Sequence, residues 1–346
     1  MMENSEQKHP AVSVIVAVFN AETTLNRCLD SLCSQTLNDI EVILVDDGST
    51  DQSPSICDQY AQSDTRFKVF HKANEGVSPT RQFGLDRVSG EYVIHLDADD
   101  YVEPDAYKTL YDCAIRTNAA IVCCNYFRIT PSGIHAVNNT KGRYSLTTKL
   151  KDVFFRQNGF LWNHLIARDV ILRHPVFFPP EILIGEDQFF IIGILTKCKY
   201  QNDPIRIASC RAHLVYYDKT ANPQSLTALN PQKRFWARFN WWKTVYDQIY
   251  LKQEDCGSFY KRLVDDSFCA LWNNIIDEVE IYHALKPYFA DIKHYAPFSP
   301  QKYLTLLVCQ GKYKKARQLK YLGSFRIIRD KLEQVIARFP SPKELR

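Results

Sequence analysis

Val12-Ser13-Val14-Ile15-Val16-Ala17-Val18-Phe19 is the stretch that decides the fold. Its near-continuous β-branched character is that of a strand buried on both faces, as in a parallel sheet covered by helices. Behind it Leu25, Leu29 and Leu32 recur at helical spacing, and Asn20 is suited to cap that helix. Glu41 to Val45 is a second buried strand, closing in Asp46-Asp47-Gly48-Ser49-Thr50-Asp51, a dense turn signal. Ser53-Pro54 then opens a helix, serine as N-cap and proline at the first helical position. Phe67 to Phe70 gives a short third strand, and Pro79 to about Val88 a helix stopped by Gly90. Glu91 to Leu96 is a fourth strand and Ala119 to Tyr126 a fifth. Strand and helix alternate as in right-handed βαβ units, so the expected class is α/β, with a Rossmann-like, mostly parallel sheet flanked by helices.

Farther along the chain the alternation loosens. A polar loop is expected near Asn138 to Arg143, and beyond Asn230 the pattern turns helical and aromatic, as in Phe235 to Tyr250. The composition, 45% hydrophobic and 24% charged over 346 residues, excludes wholesale disorder. The 11 cysteines form no C-x-x-C pair and sit mostly in apolar stretches, which reads as reduced, buried thiols of a cytoplasmic protein and not as zinc ligands or disulfides. Met1 to Pro10 has no apolar core for a signal peptide, and the longest apolar run, Phe189 to Leu195, is too short to span a bilayer. From Pro300 to Arg346, twelve Lys and Arg face three Asp and Glu, a local charge of +9 that leaves −5 for the rest. In that tail Phe325, Ile328, Leu332, Val335, Ile336 and Phe339 form one apolar stripe with basic residues largely off it. Two readings stay open: a helix lying on an anionic membrane surface, or one packed on the catalytic domain.

In an open parallel sheet, ligands bind beyond the carboxyl ends of the strands. Polar groups crowd each of those ends here: Asn20 and Glu22 after the first strand, Asp46 and Asp47 after the second. His71 to Gly76 follow the third, and Asp97 and Asp99 the fourth. A strand ending in D-x-D suits a hard divalent cation that must also hold a diphosphate. Arg81, early in its helix, is placed to reach a diphosphate or to sit solvated. Asp47 is placed to accept a base N–H or to cap the helix at Ser53. Several classes fall away. No G-x-G-x-x-G follows the first strand and no G-K-[ST] occurs; the D-x-D follows the wrong strand for an aspartyl phosphatase. The tail lacks the interleaved aromatics of a nucleic-acid binder.

Together VSVIVAVFNAE (12–22), VILVDDGSTD (42–51), NEGVSPTRQFGL (74–85) and GEYVIHLDADD (90–100) resemble the signature of bacterial-type glycosyltransferase family 2, of the nucleotide-diphospho-sugar transferase (GT-A) fold. Weaker similarity continues through Leu161-Trp162-Asn163, Gly185-Glu186-Asp187, Tyr216-Tyr217 and Ser225-Leu226-Thr227. The resemblance implies transfer of a sugar, with inversion, from a nucleotide diphosphate (UDP) donor to a sugar or lipid-linked saccharide acceptor. The alternative is a non-catalytic homologue that only binds nucleotide sugar or recruits partners. It implies that Asp47 binds the base near the Val18 backbone, Asn20 and Glu22. Arg81 would approach the diphosphate, with Ala98 beside the donor, and Asp97 and Asp99 would hold Mn2+ or Mg2+. Asp187 would be the general base, with Glu186 and Trp162 toward the acceptor; on position alone Asp187 also reads as a helix N-cap, a core role for Trp162 stays open, and His213 reads as an extra metal ligand or, more commonly for a lone strand histidine, as structural. It also divides the chain into a tail (1–10), a transferase domain (11–229) and a helical region (230–346) with the basic tail. Within the domain, 11–126 is the nucleotide-binding half and 127–229 the acceptor half. The expected location is cytoplasmic, peripheral at the inner membrane face. Four departures stand out: Ala17 where Pro is common, Pro79 before Arg81, His164 for a common Lys, and Asp218 for a common Arg.

Overall fold

The computed structural model describes residues 9–140, 144–146, 148–149, 153, 159–221, 230–245, 260, 263–267, 269–270, 275–289 and 292. The decisive run forms β1 (Val12–Val18), and β2 (Ile40–Asp46), β3 (Phe67–His71) and β4 (Tyr92–Asp97) follow as expected. β1 lies between β2 and β4 and is parallel to both, and β3 pairs parallel on β2. The chain therefore winds outward from β1 through β2 to β3, then returns to place β4 on β1's other side. The strand order reverses between β1 and β4, the place at whose carboxyl edge open α/β sheets bind their ligands.

Beyond β4 the sheet departs from simple parallel winding. It continues through β8 (His164–Ala167), β6 (Ile121–Thr130), β9 (Ile207–Asp218) and β5 (Tyr101–Val102), with β7 (Gly133–Val137) a hairpin partner of β6. β6 and β9 run with the first four strands, while β5, β7 and β8 run against their neighbours. The expected fifth strand is thus β6, longer than its apolar core by four residues that pair with β7.

Helices α1 (Leu25–Cys33), α2 (Ser53–Ser63), α3 (Val77–Leu85), α4 (Ala106–Thr117), α5 (Arg168–Arg173) and α6 (Glu186–Tyr200) accompany the sheet. α1 buries Leu25, Leu29 and Leu32, the stripe seen in the sequence. Three boundaries differ from expectation. Thr24, not Asn20, precedes α1; Asn20 takes a left-handed φ of 47°, and its side chain accepts from Thr50 N–H. Ser53 is the first residue of α2, and its own N–H donates to Asp51 Oδ1. α3 starts two residues before Pro79 and ends at Leu85, five short of Gly90. Gly90 serves close approach instead, since a Cβ there would lie 2.6 Å from Ser13 Oγ.

Glu41 ties together the edge of the sheet opposite the carboxyl ends of the strands. Its Oε1 accepts from Ser13 Oγ at 2.5 Å, from the Ser89 N–H and hydroxyl, and from Gly90 N–H, while Oε2 pairs with Lys68 at 2.6 Å. Burial opposes its ionisation, yet the bonds from Lys68, Ser13 and Ser89 outweigh burial and hold the carboxyl at about 2.

The chain divides into two compact units, 1–228 and 229–346. In the second, α7 (Pro231–Val245) buries Phe235, Phe239, Trp241 and Trp242, and Asp277 caps α8 (Glu278–Leu285) through the N–H groups of Val279 and Glu280. The basic stripe of 325–339 lies outside the described residues. Among the described residues, no helix is long and apolar enough to cross a membrane. Among the described residues, Cys28, Cys57, Cys113, Cys123, Cys124 and Cys198 are buried free thiols, Cys33 and Cys210 are partly exposed and Cys269 is exposed.

Candidate active site

Strand register lines up the functional residues. Val18 sits opposite Asp46, Asp46 opposite His71, and Ala17 opposite Asp97, so the polar ends of four strands form one row. The loops after β1 and β2 are stitched together beside that row. Asn20, Ala21 and Glu22 donate their N–H groups to Ser49 Oγ, Ser53 Oγ and Asp51 Oδ2, and Glu22 Oε2 accepts from Gln52 N–H at 2.9 Å. The Val18 carbonyl accepts from Asp47 N–H at 2.9 Å. Asn20 and Glu22 therefore tie the loop after β1 to the loop after β2. Phe19, next to them in the chain, is half-exposed.

Asp47 is buried and does not cap α2. Its carboxylate accepts from Lys72 Nζ at 2.6 Å, Glu75 N–H at 3.0 Å and Gly76 N–H at 2.8 Å, which fastens the loop between β3 and α3. Three donors on a carboxylate with about four acceptor positions leave one position over.

At the carboxyl end of β4, Asp97, Asp99 and Asp100 bring carboxylate oxygens within 4.8 Å of one another. Asp100 is fully buried; its Oδ1 accepts from Asp218 N–H at 2.9 Å, and its Oδ2 has no hydrogen-bond partner. Burial and the Asp97 charge push Asp99 up to about 6, and burial with Asp97 and Asp99 drives Asp100 well above the carboxylate range. The three carboxylates make an all-oxygen donor set of the kind that suits Mn2+ or Mg2+, and the unpartnered Asp100 Oδ2 fits that use. Both aspartates expected at the turn lie in this cluster, together with Asp100 from the same acidic run.

Arg81 is buried, and both arms of its guanidinium are engaged. Nη2 donates to Asp97 Oδ1 at 2.7 Å and Nη1 pairs with Glu186. Burial alone would lower its pKa, but Glu186 and Asp97 outweigh that and raise it. Arg81 thus spends its charge on two carboxylates, not on open solvent, and Glu186, expected toward the acceptor, pairs with it. Asp187 follows in the first turn of α6, which carries no hydroxyl or amide side-chain cap. Burial and Glu186, against the pull of Arg81, push its carboxyl up to about 8.

Trp162 is 3% exposed, stacked on Phe160 at 4.8 Å and near Tyr217 at 5.4 Å. The core reading holds for it, because its faces are covered. Tyr217 is the ring of this cluster that senses the acids: burial first, then Asp100, Asp97 and Asp99, raise its hydroxyl pKa. His213 lies against Phe127 at 5.0 Å and is outside the acidic cluster. His164 is buried, with Nδ1 2.7 Å from the Phe160 carbonyl. Ala98 is buried in the turn, its carbonyl held by Thr24 Oγ1 at 2.9 Å.

Residues 13–172 match Glycosyl transferase family 2. EpsH of Bacillus subtilis (strain 168) is 39% identical over 188 residues, 52% of this chain and 54% of that protein. EpsJ of the same organism, an uncharacterized glycosyltransferase, is 32% identical over 228 residues, 64% of each chain. The chain thus spans between half and two-thirds of the length of these relatives. The crystal structure of S. aureus TarS 1–349 superposes with a TM-score of 0.69 at 18% identity, covering 91% of this chain and 92% of that one, and TarS has also been solved with UDP and with UDP-GlcNAc. Residues 13–172 of this chain therefore belong to glycosyltransferase family 2, on a GT-A fold.

Proposed function

We propose that the chain is an inverting transferase that moves a sugar from a nucleotide diphosphate donor, with UDP as the nucleotide, to an acceptor hydroxyl in bacterial polysaccharide or glycan assembly. Arg81 carries this reading. One guanidinium ties Asp97 of the acidic turn to Glu186, and so sets Asp187 beside the place where a diphosphate would be held. A displacement at an anomeric carbon needs those two functions within one substrate's length: stabilisation of the leaving diphosphate, and a base for the incoming hydroxyl.

The loops tied together by Asn20 and Glu22 border the nucleotide. Phe19 offers an aromatic face to a base, and the acceptor position left on Asp47 takes a base N–H. The UDP and UDP-GlcNAc complexes of the similarly folded TarS support a uridine donor. Asp97, Asp99 and Asp100 would hold a divalent cation, which when bound offsets the charge that develops on the departing diphosphate. Asp187 removes the proton from the acceptor oxygen as that oxygen attacks the sugar from the opposite face. The acceptor is a sugar or a lipid-linked saccharide, and the basic tail would bring the enzyme to an anionic membrane face.

The test is Asp187→Asn. Donor affinity stays within about twofold while transfer falls by roughly 10²–10⁴-fold, the range for a lost general base. Equal losses of binding and turnover would make Asp187 a structural residue and remove the base from this mechanism.

A further inference from the structure

One face of α1 grips the acidic turn from behind. Residues 24, 27 and 28 stand at helical i, i+3 and i+4 spacing, and each meets a different main-chain carbonyl of three in succession. Cys28 Sγ lies 3.6 Å from the Asp97 carbonyl, Thr24 Oγ1 donates to Ala98 at 2.9 Å, and Arg27 Nη2 donates to Asp99 at 2.8 Å. Arg27 is held in turn. Its Nη1 pairs with Asp218 Oδ2 at 2.9 Å, and its guanidinium lies 4.7 Å over Tyr101, which stacks on Tyr216 at 4.4 Å. Asp218 is itself fixed, since Oδ1 accepts from the N–H and hydroxyl of Thr220. Its own N–H donates to Asp100 Oδ1. A closed circuit results: Asp99 carbonyl, Arg27, Asp218, Asp100 carboxylate, and back along the turn.

We propose that Arg27 and Asp218 form a clasp that holds the Asp97–Asp100 turn in its cation-binding shape. The clasp binds the turn by its main chain at Asp99 and by a side chain at Asp100, and it leaves the Asp99 carboxylate uncommitted. The cation of the clasp comes from α1 and the anion from β9. Preorganisation of this kind matters most where like charges crowd, because an unheld turn would relax by moving its carboxylates apart. Arg27 and Asp218 are positioning residues, acting through the turn without touching substrate. The inference rests on the reading of the turn as a cation site.

The test measures Mn2+ binding alone, from the paramagnetic resonance signal of the free ion. It compares the full chain with Arg27→Ala, Asp218→Ala, the double variant and Arg27→Lys. Each single alanine variant binds Mn2+ about tenfold more weakly, the scale of one charge-assisted hydrogen bond. The double variant loses no more than either single one, because both break the same circuit. Arg27→Lys behaves like Arg27→Ala, since an ammonium keeps the charge but not the two-armed reach. In chelator Arg27→Ala and Arg27→Lys melt with the unaltered chain, as the 42% exposure of the Arg27 side chain allows. Unchanged Mn2+ affinity, additive losses, or a matching drop in the melting temperature of the Arg27 variants in chelator would overturn the clasp. Failure of the unaltered chain to bind Mn2+ would overturn the cation site itself and the clasp with it.

Discussion

Glu41→Gln isolates the fold from the chemistry, because Glu41 lies at the sheet edge away from the carboxyl ends of the strands. Its carboxyl is held at about 2, against 4.5 for an ordinary glutamate. A shift of that size corresponds to about 3 kcal/mol of native-state stabilisation at neutral pH. Lys68, one source of the shift, is 52% exposed, so solvent screening trims the figure to about 2 kcal/mol. The sign follows from the depressed pKa. The contribution is fully present above the unfolded value near 4.5 and is lost as pH falls toward 2. Glutamine keeps the shape and one acceptor for Ser13 and Ser89 but turns an amide toward Lys68. Urea unfolding at pH 7 is expected to show a loss of about 2 kcal/mol with an unchanged slope, and at pH 3 the gap should shrink to less than half. Mn2+ affinity should not change. Equal stability at pH 7, or a gap insensitive to acid, would show that the Glu41 bonds do not carry the energy assigned to them.

Three further outcomes are expected. Transfer at saturating metal should rise with pH through an ionisation at or below about 8, the position of Asp187 without a cation, and Asp187→Asn should remove that limb. A pH profile of kcat/KM that is the same for both proteins would contradict the assignment. Phe19→Ala should weaken donor binding by about 1–2 kcal/mol without lowering kcat, as loss of a stacking face would; competition with free UDP reads this directly. In flotation with anionic vesicles the full chain should rise and a chain ending at Pro300 should not; identical behaviour, or flotation independent of lipid charge, would remove the membrane role from the tail.

The first half of the fold was legible because its strands are apolar runs bounded by turn residues. β1, β2 and β4 needed nothing more than their own composition. β8 was not legible. Four residues, His164 to Ala167, carry no periodicity, and their place between β4 and β6 is set by pairing at both edges. The same contrast holds in the site. Asp97 and Asp99 could be read from one strand end, and Asp100 stood in the same run although its burial could not be foreseen. The partners of Asp47 and Arg81 could not be read, since spacing says nothing of which loop amide or distant carboxylate fills an oxygen's lone pairs. Asn20 has cap chemistry but does not cap α1, for a related reason. Its side chain serves the neighbouring loop at Thr50, thirty residues away. Trp162 fitted pocket and core equally well in sequence, and only its covered faces decided between them.

The central claim, metal-assisted transfer from a nucleotide sugar at the Asp97–Asp100 turn, is tested most directly by following nucleotide diphosphate release from a panel of donors. Release is measured with Mn2+, after chelation, and with Asp99→Ala alongside. The account predicts release from a UDP-sugar with Mn2+, falling to background both in chelator and in the variant. Turnover unaffected by chelation would remove the cation from the mechanism. Donor binding with no release from any donor in the presence of metal would show a protein that holds nucleotide sugars without transferring them.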